Sequence, residues 1–290
     1  MIINTNTAAT EAQNLIRDNN KLLNQSLERL STGRRIVDVN DDVSGLSIAN
    51  KLRTQVLSIR QSIEDGNSAV ALTQIADKAL AEQSNILDIV KTKLIQASTA
   101  TTSTAGRKAI SKDVSKLLLQ LDNISSQTNY NGMQLLQKAS DDIGIADSLT
   151  FQLGDQAKYT LSTGNTVQAN TTGLSLTTLT GKVSAGITSS SAMGISSSDA
   201  RVQMLEVDQS LDRLNGWRAD FGSTQSQLES AVRNLSTQET NIANAESIIR
   251  DVDYAKESAN FAKRSMIAQA GAYALSQANV MQQDVMRLLQ

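Results

Sequence analysis

Leu214, Phe221, Leu228, Leu235, Ile242 and Ile249 stand at every seventh position of the chain. Trp217, Ala231 and Ala245 follow alternate members of this series by three residues, which completes a narrow apolar stripe and predicts one long helix. Polar Thr224 and Gln238 interrupt the stripe, so it suits a mixed helical bundle better than a free two-stranded coil. Nothing is present to break such helices: the 290 residues include no proline, which costs about 3 kcal/mol inside a helix.

The same spacing recurs upstream. Ile110, Val114, Leu117, Leu121 and Ile124 form a second stripe, and Leu72, Ile75, Ala76, Ala79, Ile86, Val90 and Leu94 a third, predicting a helix from about Gly66 to Ala97. The Ser/Thr-rich stretch from Ser98 to Gly106 reads as the turn between them. Both chain ends are amphipathic, with Ile16, Leu23, Leu27 and Leu30 at one and Ile267, Ala270, Ala274, Ala278, Met281, Val285 and Leu288 at the other. The second of these stripes is thin and Ala-rich. It allows close helix approach but supplies little burial energy, and isolated helices are marginal in water, so the ends are expected to order together on assembly.

From Thr160 to Ser198 Ser, Thr and Gly predominate and helical periodicity is lost. With the alternating segment Leu149 to Gly154, this predicts a small hairpin-rich surface region, the alternative being a disordered linker. The fold expected is therefore mainly α: a long antiparallel helical bundle or coiled coil with both termini paired at one end and a small Ser/Thr-rich β-hairpin region at the other. Its divisions are 1–42 and 250–290 for a terminal helical domain, 43–145 and 199–249 for the bundle, and 146–198 for the hairpin region.

Composition removes most chemistries. Without His or Cys there is no imidazole base, thiolate nucleophile or ordinary zinc ligand set, and no disulfide framework. A net charge of −2, with 27 basic against 29 acidic residues well mixed, does not suit a nucleic-acid binder or polybasic membrane binder. No apolar run spans a membrane, and the N-terminal stretch does not read as a secretory signal. No cofactor is implied. Asp38, Asn40, Asp41 and Asp42 could ligate a divalent ion, but such close carboxylates more often cap helices and form Asx turns. Gly33 and Gly45 mark a bend after the first helix, with Arg34 and Arg35 at a helix end, against another subunit's carboxylate, or solvated.

Leu30-Ser31-Thr32-Gly33-Arg34-Arg35-Ile36 followed by Asn40-Asp41-Asp42-Val43-Ser44-Gly45-Leu46-Ser47-Ile48-Ala49 resembles the N-terminal signature of bacterial flagellins. Ser126-Gln127-Thr128-Asn129-Tyr130-Asn131-Gly132 and Leu214-Asn215-Gly216-Trp217-Arg218-Ala219-Asp220-Phe221-Gly222 are similar to that family's bundle segments. Asp251-Val252-Asp253-Tyr254-Ala255 and Gln269-Ala270-Gly271, together with the terminal Leu288-Leu289-Gln290, are similar to its C-terminal part.

The resemblance implies a subunit of the extracellular flagellar filament, a helical homopolymer used as a propeller, with the terminal helices lining a hollow core and the bundle outside them. It implies export through the flagellar type III apparatus without a cleaved signal. The partners it implies are an export chaperone, the filament cap and the hook-junction proteins. An adaptor of the hook-filament junction is the rival reading, and a carboxylate–metal or Ser/Lys hydrolase the remote one. Thr188, Ser189, Ser190, Ser191, Ser196, Ser197 and Ser198 are candidates for O-glycosylation or a plain loop. The segment Leu87 to Leu94, with Ile89 where the family's immune-recognised pattern has Arg, resembles flagellins of the Campylobacter-like lineage and implies weak activation of the innate receptor.

Overall fold

The computed structural model describes residues 6–137, 148–153, 158–162, 167–188 and 195–288; at 148–149, 158–162, 188 and 282–288 the description is of the backbone. The elements are α1 (Thr7–Thr32), α2 (Val43–Ser98), α3 (Thr104–Gln127), β1 (Asn129–Tyr130), β2 (Met133–Gln134), β3 (Ser148–Gln152), β4 (Lys158–Ser162), α4 (Thr177–Thr188), α5 (Ser197–Arg250) and α6 (Tyr254–Leu288). They make two compact units, one of residues 1–57 with 239–290 and one of 58–238. The divisions fall inside α2 and α5, where the sequence suggested boundaries near 42 and 249.

In the second unit, α2, α3 and α5 bury one another's stripes. Leu72, Ala76, Leu80, Leu87, Val90 and Leu94 of α2 meet Ile110, Val114, Leu118 and Leu121 of α3, and Val207, Leu214 and Phe221 of α5. Each fully buried Leu contributes about 1.5–3 kcal/mol of burial, so this packing holds helices whose own propensity would leave them marginal. Leu228 and Leu235 are buried as well, and Trp217 is half-buried against the core. Ile242 and Ile249 continue the seven-residue series half-buried in the first unit. The turn expected after Ser98 is present. Ser103 opens α3 by accepting a hydrogen bond from the Gly106 N–H at 3.1 Å, as a short hydroxyl at an N-cap does.

Two segments depart from the periodic reading. The helix expected from about Gly66 begins instead at Val43, because Asp42 supplies a cap there and no residue of the next 56 breaks the ladder. In the Ser/Thr-rich centre a hairpin does form, with β3 antiparallel to β4 and Phe151 opposite Tyr159. Helix α4 also forms there, although no helical period was read. Leu176, Leu179 and Val183 are buried with Leu174 and Val167 in the core of this unit. These apolar positions at 176, 179 and 183 have helical spacing, but Thr, Ser and Gly between them masked it, and tertiary burial overrides weak propensity.

Helix side chains fasten this central segment. Gln83, wholly buried, donates from Nε2 to the carbonyls of Leu121 (3.1 Å) and Ala169 (2.8 Å). Asp122 accepts from the Thr171 N–H and hydroxyl at 2.7 and 3.0 Å, and Ser210 donates to the Leu174 carbonyl at 2.8 Å. The Asn131-Gly132 pair, with φ of 50° and 82°, turns β1 into β2, the two left-handed residues that a two-residue hairpin turn demands.

Candidate self-assembly surface

Helix α1 starts at Asn6, whose Oδ1 accepts from the Ala9 N–H at 3.0 Å. Along it the positions Ala9, Ala12, Ile16, Asn19, Leu23, Ser26 and Leu30, spaced alternately by three and four, are buried or half-buried, with Gln25 and Arg29 half-buried beside them. Helix α6 packs along α1 and shows the matching series Glu257, Phe261, Arg264, Ala268, Gly271, Leu275 and Ala278. Asn6 Nδ2 donates to the Ala278 carbonyl at 3.2 Å, Ile16 lies against Gly271, and Asn19 Nδ2 donates to the Arg264 carbonyl at 2.8 Å. Numbers rise on one helix as they fall on the other, so the two run antiparallel as a helical hairpin closed by residues far apart in sequence.

The base of this hairpin is a backbone clasp. Gly33 ends α1 with φ of 70°, and its N–H reaches the Arg29 carbonyl at 2.9 Å, the left-handed cap for which glycine carries no Cβ penalty. The Gly33 carbonyl accepts from the Val252 N–H at 3.1 Å, and the Arg35 N–H donates to the Arg250 carbonyl at 2.7 Å. Arg34 and Asp251 form an isolated antiparallel bridge. Arg35 extends its guanidinium to the Ile249 carbonyl at 2.6 Å, near the C-terminus of α5 where cations are favoured.

The Asp cluster serves this clasp. Asp41 Oδ2 accepts from the N–H groups of Val37 and Asp38 at 3.1 and 3.3 Å, and its Oδ1 pairs with Arg29 at 3.3 Å. Desolvation pushes the Asp41 carboxyl up, but the two backbone bonds and Arg29 together outweigh it and hold the group below the ordinary carboxylate range. Asp42 Oδ1 accepts from the Gly45 N–H at 2.8 Å and so caps α2. Gly45 therefore belongs to the first turn of α2 and not to the bend, and a Cβ there would meet Ile36 Cδ1 at 2.8 Å. Among the described residues no group of three or more Asp or Glu side chains could hold a metal ion.

Of the expected stripe on α1, Ile16, Leu23 and Leu30 are half-buried, while Leu27 is 55% exposed. On α6 only Ala278 of the expected stripe lies in the seam with α1. Ile267, Ala270, Ala274 and Met281 point away from it, Ile267 and Met281 being 46% and 63% exposed, and the side chains of Val285 and Leu288 lie outside the described residues. Apolar residues occur all round α6, so period alone could not select its inner face; small Ala268 and Gly271, which admit α1, do so. Asn19, Ser26, Glu257 and Arg264 were missed because a polar residue carries no weight in an apolar count, although continuing the three-four spacing from Ile16 reaches Asn19 directly. Leu15, Leu22, Met266, Tyr273 and Val280 are also exposed on these two helices.

Of the Ser/Thr cluster, Ser196 Oγ accepts from the Asp199 N–H at 3.0 Å and lies 2.6 Å from its carboxylate, so it caps α5. That hydroxyl, foremost, and Lys182 hold Asp199 below its ordinary pKa. Ser197 and Ser198 open the helix, the first half-buried and the second exposed. Thr188 ends α4, and Ser189, Ser190 and Ser191 lie outside the described residues.

Long helices with buried seams and a terminal hairpin with large apolar side chains left on its outside are the build of a structural chain. Comparison with known proteins gives its family. Residues 3–141 match the model of the bacterial flagellin N-terminal helical region and residues 204–289 that of the C-terminal helical region. The chain is 32% identical to a flagellin of Bacillus subtilis and 30% identical to the flagellar filament 31.3 kDa core protein of Treponema maltophilum, both alignments covering all of each chain. A solved structure described as flagellar hook-associated, from Vibrio parahaemolyticus, shares the fold with a TM-score of 0.62 at 9% identity, over 72% of this chain and 99% of that one. The chain belongs to the bacterial flagellin family. It is a structural subunit, not an enzyme, and polymerises into the extracellular helical filament that drives swimming.

Proposed function

We propose that the α1–α6 hairpin is the surface through which subunits join, lining the core of the filament tube. The observation that carries this is the exposed apolar set Leu15, Leu22, Leu27, Met266, Ile267, Tyr273, Val280 and Met281 on these two helices. Large apolar side chains left exposed at seven-residue spacing along helices, as Leu15 with Leu22 and Met266 with Tyr273 and Val280 are, mark an association site. Covering it by repeated heterologous contacts produces an open helix instead of a closed ring. Truncation after Asn260 removes most of α6. The shortened chain is expected to retain cooperative unfolding of residues 58–238 but to form no filaments by electron microscopy after ammonium sulfate or seeding; filaments from it would sink the reading.

Export and handling follow from the same design. A chain without proline isomerisation or disulfides, dominated by local helical contacts, refolds rapidly after passage in an unfolded state. Passage through the type III apparatus with an uncleaved N-terminus, with an export chaperone, cap and hook-junction proteins as partners, fits these properties; N-terminal sequencing of filaments tests the first point. O-linked sugar on exposed Ser198 or the other candidate hydroxyls is tested by intact mass, where the bare chain mass excludes it. Ile89, 48% exposed on α2, supports weak innate receptor activation, and a potent response of reporter cells to endotoxin-free protein would refute that.

A further inference from the structure

The seam between α1 and α6 is poor in large apolar groups, since Ala9, Ala12, Ala268, Gly271 and Ala278 occupy five of its positions. A slide of seven residues, about 10.5 Å, would keep the same two faces together but set Phe261 or Leu275 where Ala268 stands and Arg264 or Ala278 where Gly271 stands. The backbone clasp of residues 33–35 with 250–252 anchors one end of the hairpin, and contacts along the seam hold the register beyond it. Asn19 is buried to 9% exposure and spends its amide on the Arg264 carbonyl at 2.8 Å. A helical side chain covers the turn preceding it, so the residue four places on roofs a given carbonyl. Over Arg264 that residue is Ala268, which leaves the carbonyl open. One repeat in either direction the roofs are Phe261 and Leu275, which shut the equivalent carbonyls off from the amide. Ile16, one turn before Asn19, fits over Gly271, where a Cβ would stand only 2.8 Å from its Cγ1; displaced by a repeat it would fall on Arg264 or Ala278.

We infer that Asn19, working through the window left by Ala268 and assisted by Ile16 on Gly271, is the register key of the terminal hairpin. Asn19 trades the burial energy of an apolar side chain for a single pairing, the use for which a buried polar residue in a helical seam is best attested. Register here decides which exposed side chains of the two helices stand side by side, and hence the surface offered to the next subunit. The inference builds on the proposed role of the hairpin, but its test reads an intrachain distance and so fails separately from polymerisation.

The chain has no cysteine, so Lys21→Cys and Lys263→Cys, both on exposed positions, give a clean pair of spin-label sites. Doubly labelled chain is copolymerised with excess unlabelled chain and its distance distribution read by pulsed electron resonance. The parent is expected to give one narrow distance. Asn19→Leu, and separately Ala268→Leu, which closes the window without touching the amide, are expected to add a second population displaced along the axis by about 10 Å. One unchanged narrow distance in both variants overturns the inference. If a variant does not enter filaments, the soluble labelled chain is compared with the soluble parent: an added displaced population supports the register key, and a distribution identical to the parent overturns it.

Discussion

Gly66 and Gly222 sit within long helices, yet replacing each by alanine is expected to move stability in opposite directions. In a helix interior Gly→Ala gains about 1 kcal/mol from propensity and backbone entropy. At Gly222 of α5, and at Gly216 nearby, a Cβ meets nothing within 4 Å, so that gain is realised and each substitution stabilises by about 0.5–1 kcal/mol. At Gly66 of α2 a Cβ would stand 2.6 Å from Val232 Cγ2 and 2.7 Å from Leu153 Cδ2. Leu153 is 1% exposed and cannot swing into solvent without losing its burial. Overpacking of this kind costs about 1–3 kcal/mol, which cancels or exceeds the propensity gain and leaves Gly66→Ala neutral to about 2 kcal/mol destabilising. Urea titration followed by far-ultraviolet ellipticity and by the fluorescence of Trp217, the chain's only tryptophan, reads both. In a Leu153→Ala background the penalty at Gly66 should shrink, because one of the two obstructing groups is gone. A Gly66→Ala protein stabilised as much as Gly222→Ala would refute the close approach of Leu153 and Val232 to this turn.

Leu235→Asp places an unpaired carboxylate at a position 7% exposed and is expected to destabilise by several kcal/mol, whereas Gln238→Asp, exposed one turn on, should change little; paired urea midpoints check this. Asp41 has a folded-state pKa below its ordinary value, so its contribution to stability is present above about pH 3.9 and is lost as pH falls through the depressed folded value. Asp41→Asn should therefore lower the thermal midpoint at pH 7 and leave it unchanged in strong acid, and a difference that grows on acidification would contradict the sign.

Much of the molecule was legible in its residues because helical burial leaves a periodic mark. The seven-residue series from Leu214 to Ile249 lies within one 54-residue helix, and its members from Leu214 to Leu235 are buried. The turn after Ser98, the central hairpin and the family all followed from sequence as well. Other features were decided by contacts between segments distant in the chain. Helix α4 forms from a Thr- and Gly-rich stretch because Leu176, Leu179 and Val183 find the core, and no local propensity announces that.

The terminal helices divide in the same way. Their sequences alone determined that both ends are helical and amphipathic. Tertiary structure decided which face of α6 turns inward, since its apolar residues surround it and only the small Ala268 and Gly271 let α1 approach. It also showed Asp41 and Arg29 closing the base of the hairpin, and Asn19 reaching a carbonyl 245 residues away. Periodicity reports how much apolar surface a helix carries; which neighbour covers it, and in what register, depends on the size and hydrogen-bonding of the residues it meets.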